Sequence, residues 1–364
     1  MKKILVSGYY GYQNSGDDAI LHSICHDIIQ LNIKSEITVL SNQPELTMQE
    51  YSVKAVDRFN LKKVNEEIKH CDVLVMGGGT LIQDLTSTRS LYYYLGILWM
   101  AKFHKKKVML YGNGIGPISK WYNKAPTRIT LNHVNMITLR EHLSKELLTK
   151  LKITKPHIEI TADPVFNLEM SADVYTEDLY SKEGVAKDKP IVGVLFRSWS
   201  HEESYTRKMA KVCDQIIETY DYNIVFVPMR HPTDLIVALE IMKKMKHKAT
   251  IIEHRYNEEK LISFMGDMHL LLSMRLHGLI YGALKQVPII GFNYDPKVEY
   301  YAKELDIPIV DDMRHIHVDK IMEQINEIEK NRVSVTAKLA FRVDELKQEA
   351  KRNREYLLDL LKED

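Results

Sequence analysis

Arg275 and His277 stand two residues apart, directly after the apolar run His269–Leu272, in the segment Ser273-Met274-Arg275-Leu276-His277-Gly278. In an extended segment, or one just entering a helix, that spacing puts both side chains on one side. A guanidinium offers a fixed fork to an oxyanion, and a histidine beside it can donate a proton near neutral pH. The pair suits an anionic substrate that must be protonated, although a structural histidine is an equally ordinary occupant of such a position. Lys285, eight residues beyond His277, is a third candidate cation. Arg197 follows the apolar run Ile191–Phe196, and Arg140 follows Met136–Thr138. An arginine at the carboxyl end of a strand is placed for a phosphate or carboxylate. The plainer alternative is an ion pair, in the case of Arg140 with Glu141.

Three glycine-bearing loops form a second group. Lys3–Ser7 runs into Gly8-Tyr9-Tyr10-Gly11-Tyr12-Gln13-Asn14-Ser15-Gly16-Asp17-Asp18. Asn14, Ser15 and Asp17 can contact a ligand or cap the helix that follows. The loop lacks both a Gly-x-Gly-x-x-Gly fingerprint and a Walker lysine. Asp72–Met76 ends in Gly77-Gly78-Gly79, followed by Thr80 and, four positions on, Asp84. Three adjacent glycines let backbone amides crowd a ligand, or make a tight strand-to-helix turn. Lys107–Tyr111 ends in Gly112-Asn113-Gly114. Glycine-rich tips on consecutive strands point to one site, with Asn113 and Asp84 as further contacts.

These loops need strands to present them. Five short apolar runs, Lys3–Ser7, Glu36–Leu40, Asp72–Met76, Lys107–Tyr111 and Met136–Thr138, alternate with amphipathic segments such as Asp18–Leu31 and Leu143–Leu151. A second series follows: Ile191–Phe196, Asn223–Pro228, Ala249–Ile252, His269–Leu272 and Val287–Phe292. Strand-helix alternation predicts parallel sheets with helices on both faces. The expected organisation is a Rossmann-like domain over 1–165, a connection over 166–190, a second such domain over 191–334 and a long helix over 335–364. Ligands of open α/β sheets bind outside the carboxyl ends of the strands, so the two domains are expected to meet across a cleft.

The 364 residues include 50 Lys and Arg against 49 Asp and Glu, a formal net charge of +1. Such a balance gives no global attraction to nucleic acid, so any anion site is local. The three cysteines, Cys25, Cys71 and Cys213, are widely spaced and suggest neither a disulfide framework nor a zinc site. The 15 histidines form no metal-binding motif, and no metal or cofactor is expected. The short apolar run after Met1-Lys2-Lys3 is too brief for a signal peptide, which favours a cytoplasmic location. Leu91–Met100, rich in Tyr and Leu and followed by Lys102, Lys105, Lys106 and Lys107, reads as a packed helix or as a peripheral membrane contact over 91–107.

Taken in order, Gly8–Asp18, Gly77–Asp84, Gly112–Pro117, Arg140, Asp163-Pro164 and Arg275-Leu276-His277 resemble the polysaccharide pyruvyl transferase family. The branch most resembled pyruvylates a secondary cell-wall polymer. The resemblance implies a GT-B-like pair of domains and phosphoenolpyruvate as donor. It implies an N-acetylmannosamine residue on a lipid-linked saccharide as acceptor, and a 4,6-ketal product of the kind S-layer-homology domains bind. Under it, Arg275 binds the donor phosphate, His277 binds it or acts as the acid, and Arg140 is a further donor-binding cation. Lys285 and Arg197 join them on the residue argument alone. Two rivals stand beside this reading. One is a nucleotide-sugar glycosyltransferase using Asp295 or Glu299 on ribose, the other a non-catalytic sugar-binding protein of wall assembly.

Overall fold

The computed structural model describes residues 1–170, 174–199, 202–310 and 312–362. The chain divides into two compact units. The first comprises Met1–Glu169 with Leu346–Asp364, the second Met170–Glu345.

The first unit is a seven-stranded parallel sheet of β1 (Lys2–Ser7), β2 (Ser35–Ser41), β3 (Lys54–Asp57), β4 (Val73–Gly77), β5 (Lys107–Asn113), β6 (Met136–Leu139) and β7 (His157–Ile160), in the order β3-β2-β1-β4-β5-β6-β7. The second is a six-stranded parallel sheet of β8 (Ile191–Leu195), β9 (Asn223–Phe226), β10 (Thr250–Ile251), β11 (Leu270–Ser273), β12 (Ile289–Phe292) and β13 (Ile309–Val310), in the order β10-β9-β8-β11-β12-β13. Both sheets are doubly wound. Chain direction across the sheet reverses between β1 and β4 in one and between β8 and β11 in the other, and these are the positions where such folds open a crevice.

The central strands are buried along most of their length, as both-face burial in a parallel sheet requires. β4 and β8 are buried at every position. One core gathers Leu74, Met76, Leu98, Leu110 and Ile137, the other Val192, Phe226, Leu272, Ile290 and Phe292. The strands absent from the sequence expectation, β3, β7 and β13, are the short edge members of the two sheets. β3 reads Lys-Ala-Val-Asp and is only partly buried, so it lacks the apolar run that marks its neighbours. A short helix, Glu177–Glu183, lies within the stretch expected to be a plain connection. The long terminal helix spans Arg332–Lys362, and its last residues belong to the first unit, where Asn353 accepts from Thr161 Oγ1 at 2.8 Å.

Candidate functional site

In the second unit, β8 and β11 lie side by side with Leu195 opposite Ser273. Arg197 and Arg275 therefore leave the sheet two residues beyond the same rung, on strands about 4.8 Å apart. Arg275 takes an extended conformation as the N-cap of helix Leu276–Leu284. The Ser273 hydroxyl fixes it there, accepting from the Arg275 amide at 3.1 Å and donating to its carbonyl at 2.9 Å. The buried carboxylate of Asp234 grips the Nε and Nη2 edge of Arg275, with Nε to Oδ2 at 2.9 Å. The same carboxylate accepts from the amides of Met229 and Arg230, at 3.2 and 3.0 Å. Asp234 thus ties the loop after β9 to the arginine after β11 and leaves the Nη1 edge for a second oxyanion.

His277 lies in the first turn of the same helix, half-buried, its ring tilted against Tyr281 at 6.3 Å. The amides of a first helical turn favour an anion there. Arg197 lies over the Tyr294 ring at 4.8 Å and donates to its hydroxyl at 3.0 Å. Tyr294 follows β12, and Lys297 stands three residues further on with its Nζ 3.5 Å from Asp295. Arg230 and His231 follow β9, and His254 and Arg255 follow β10. Burial pushes the His231 imidazole below its ordinary pKa, with Arg255 and His254 acting the same way against Asp234. His231 is therefore a neutral group at pH 7, and the fixed charge of this edge comes from arginine and lysine. Of the cations and imidazoles gathered here, the sequence singles out only Arg197, Arg275 and His277. The positions after β9 and β12 were legible as strand ends, but Asp234 lies inside a helix and gave no signal.

Lys285 does not join them. It caps the opposite end of helix Leu276–Leu284, about 15 Å along the axis from Arg275, and packs its stem over Gly266. A lysine at a helix C-terminus complements the dipole, which explains it without a ligand.

In the first unit, the β1/β4 switch point brings together the loops that begin at Gly8 and Gly77. Asn14 donates to Asp17, and Gly79 sits 3.1 Å, by its absent Cβ, from Asp17 Oδ1. Asn14, Ser15, Asp17 and Gly77–Gly79 are thus neighbours, with Ser15 buried. Gly78 has φ +81, and a Cβ there would lie 2.2 Å from Ile20. Close packing on helix Ser15–Gln30 accounts for this glycine by itself. Tyr9 and Tyr12 stack at 4.1 Å, giving the loop an aromatic surface. Arg58, which the sequence reading missed, is buried at the end of β3. It donates to the Gly8 carbonyl at 2.7 Å and faces the Tyr12 and Tyr93 rings at 5.4 and 4.5 Å.

Three expected contacts have other work. The Arg140 side chain is 2% exposed and held by Asp163 at 2.6 Å and Glu141 at 3.1 Å. It also donates to Thr80 Oγ1 at 3.2 Å, bracing the loop after β4. Its fork is closed by carboxylates, so it organises loops instead of meeting a donor directly. Asp84 caps helix Trp121–Leu131, accepting from the amides of Ser119 and Lys120 and from Asn123 Nδ2 at 2.7–2.9 Å. Burial opposes its charge, but those donors outweigh it and hold its pKa below the ordinary value. Asn113 is buried, its Nδ2 donating to the carbonyls of Met76 and Tyr111 at 2.8 and 3.0 Å, which clamps the ends of β4 and β5. Asp295 and Glu299 are similarly engaged, the first capping helix Pro296–Glu304 and the second bonded to Lys303. Among the described residues no group of three or more His, Cys, Asp or Glu is placed to hold a metal ion.

The family model of the polysaccharide pyruvyl transferases matches residues 14–296. The amylovoran biosynthesis protein AmsJ of Erwinia amylovora is 22% identical over 303 residues, covering 78% of this chain and 72% of that protein. Among solved structures, the UDP-GlcNAc 2-epimerase of Neisseria meningitidis superposes with a TM-score of 0.68 at 14% identity, covering 99% of this chain and 100% of its own. A glycosyltransferase from Rickettsia africae gives 0.65 at 15% identity, covering all of both chains. What these structures share with the chain is the GT-B-like fold.

Proposed function

The chain belongs to the polysaccharide pyruvyl transferase family, and from that premise we propose that it takes its pyruvyl group from phosphoenolpyruvate. The proposed acceptor is an N-acetylmannosamine residue of a lipid-linked cell-wall precursor, and the products are a 4,6-ketal and free phosphate. That it is a pyruvyltransferase of polysaccharide biosynthesis follows from the family; donor, acceptor and ketal are our reading.

The observation that carries the donor is the pair Arg197 and Arg275, each two residues beyond the same rung of the β8/β11 switch point, with His277 in the first turn of the helix that Arg275 caps. Phosphoenolpyruvate concentrates a carboxylate and a phosphate of about −1.5 to −2 on a small molecule. Two guanidiniums on neighbouring strands match two anionic groups on neighbouring carbons. A proton from His277 adds to the methylene carbon, leaving positive charge on the carbon that bears the phosphate oxygen. A sugar hydroxyl attacks that carbon and loses its proton, the C–O bond to phosphate breaks, and a second hydroxyl closes the ketal. His277 is the acid in this scheme, and Arg275 stabilises the departing phosphate charge. Asp234 is a positioning residue, acting through Arg275. The glycine and tyrosine loops of the first unit, with Asn14 and Asp17, supply stacking and hydrogen-bonding contacts suited to a sugar.

The test is phosphate release from phosphoenolpyruvate with a panel of lipid-linked N-acetylhexosamines. Release with the mannosamine acceptor, undiminished by EDTA, is the expected result. Tight calorimetric binding of a uridine nucleotide, with no turnover of phosphoenolpyruvate, overturns it in favour of a glycosyltransferase.

A further inference from the structure

Between Leu85 and Leu139 the chain has no Asp or Glu but eight Lys and Arg. The other 42 Lys and Arg face all 49 Asp and Glu, so the remainder of this nearly neutral chain stands at −7. The basic stretch holds two helices, Thr88–Phe103 and Trp121–Leu131, that pack side by side on the first sheet. Lys120 Nζ reaches Thr88 Oγ1 at 2.7 Å at one end of the pair, and Trp99 meets the His133 ring at 5.4 Å at the other.

One face of helix Thr88–Phe103 is core: Leu91, Tyr94, Leu95, Leu98 and Ala101 are buried. The opposite stripe is apolar as well. Tyr92, Trp99 and Phe103 recur at spacings of seven and four, so they align on one side of the helix, and all three are exposed, Phe103 by 82%. Gly96 lies in the same stripe with open space where a Cβ would be. The neighbouring helix shows the same habit, with Trp121 81% exposed and Tyr122 and Ile129 exposed beside it. Lys124 and Arg128 lie on that exposed side, and Arg89 flanks the first stripe. Lys102 and Lys107 are tied to oxygens of the protein, while Lys105 is exposed at the helix end.

A helix pair that packs on its own sheet does not require exposed Trp and Phe, and a solvated basic face does not either. Aromatic rings set among lysines and arginines, with no acid to oppose them, match the headgroup layer of an anionic bilayer. There the rings enter the acyl boundary and the cations meet phosphate. We propose that this two-helix face docks the protein flat on an anionic phospholipid surface. The proposal does not depend on the donor or acceptor assigned above, since none of its residues belongs to either switch point.

The experiment is sedimentation of the full chain with vesicles of phosphatidylcholine alone or with one quarter phosphatidylglycerol, at 0.1 and 0.5 M salt. Expected is binding to the anionic vesicles that weakens at high salt, and none to neutral ones. Each basic residue near an anionic surface contributes about fivefold in partition, so K124Q/R128Q lowers binding roughly 25-fold. F103S/W121S lowers it at least tenfold, with circular-dichroism melting unchanged in both pairs. Equal binding to both vesicle types, no binding to either, or unaltered binding by the variants overturns the proposal. So does self-association of the wild type, seen in sedimentation velocity and abolished by F103S/W121S, which makes the face an interface between copies.

Discussion

At the β1/β4 switch point the chain places glycines, Asn14 bonded to Asp17, and stacked tyrosines; at the β8/β11 switch point it places guanidiniums, imidazoles and the buried carboxylate of Asp234. Topology is the same in the two units, so the contrast is a matter of side chains alone. In the first unit the cations near the strand ends are neutralised inward. Arg140 is closed off by Asp163 and Glu141, and Arg58 is packed among tyrosine rings. In the second, Asp234 grips only one edge of Arg275, and Arg197 is held by a ring and a hydroxyl. Under the proposed function, the donor anion belongs to the edge where guanidiniums are positioned but not cancelled. Under the same proposal, the sugar belongs to the edge where the backbone is tightly folded, the surface is aromatic and no guanidinium stands uncancelled.

Substitutions that separate the two edges sharpen this contrast. The largest effect is expected at His277, where His277→Ala should lower kcat by about 10²–10⁴, the usual size for a lost general acid. The pH–rate limb assigned to the acid should vanish with it. If the limb stays and only the KM for phosphoenolpyruvate rises, His277 is a phosphate ligand. Arg275→Lys keeps charge and loses the fork, so KM for phosphoenolpyruvate should rise tenfold or more with the acceptor KM unmoved. Asn14→Ala should do the reverse, and a shift in the donor KM from Asn14→Ala would break the division of labour between the edges.

The next effect, in stability instead of rate, comes from Arg140. Arg140→Ala leaves Asp163 and Glu141 buried without their cation. Removing one partner of a buried pair costs roughly 3–5 kcal/mol, read as a shift of the denaturation midpoint. The folded protein should keep its KM for phosphoenolpyruvate. A raised donor KM with an unchanged denaturation curve would return Arg140 to the donor site.

How much of this could be read in advance follows from what each feature needs. The central strands announce themselves because burial on both faces demands continuous apolar runs such as Val73–Met76 and Leu270–Leu272. Edge strands such as Lys54–Asp57 are half-solvated and lose that mark. The place of Arg275 and His277 at a strand end was legible because they follow a legible strand directly. Lys285 was misplaced because sequence distance along a helix is length along its axis, and nine helical residues carried it to the far edge. Asp84 and Arg140 looked like ligand contacts because capping and ion pairing use the same residue types as binding; only the partners tell them apart. Asp234 and Arg58 were invisible because their roles depend on residues 41 and 50 positions away.

A last expected effect concerns pH, and it falls on the first unit. Asp27, on the helix that starts at the first switch point, is fully buried. It accepts from the Tyr111 hydroxyl at 2.7 Å and from Asn167 Nδ2. Burial raises its pKa to about 7, the hydrogen bonds from Tyr111 and Asn167 opposing only in part. In the unfolded chain it titrates near 3.9. Below about pH 4 the carboxyl is neutral in both states and its burial adds no charge penalty. Between about pH 4 and 7 the unfolded chain releases the proton that the folded one retains, so stability falls as pH rises, by up to about 1.4 kcal/mol per pH unit. Above about pH 7 the loss is complete, at up to about 4 kcal/mol. Asp27→Asn keeps the shape and removes the titration, so its stability relative to wild type should climb from pH 4.5 to 8 and then level off. Denaturant unfolding at matched pH values measures this directly. Parallel curves for the two proteins would mean that Asp27 is ionised in the fold.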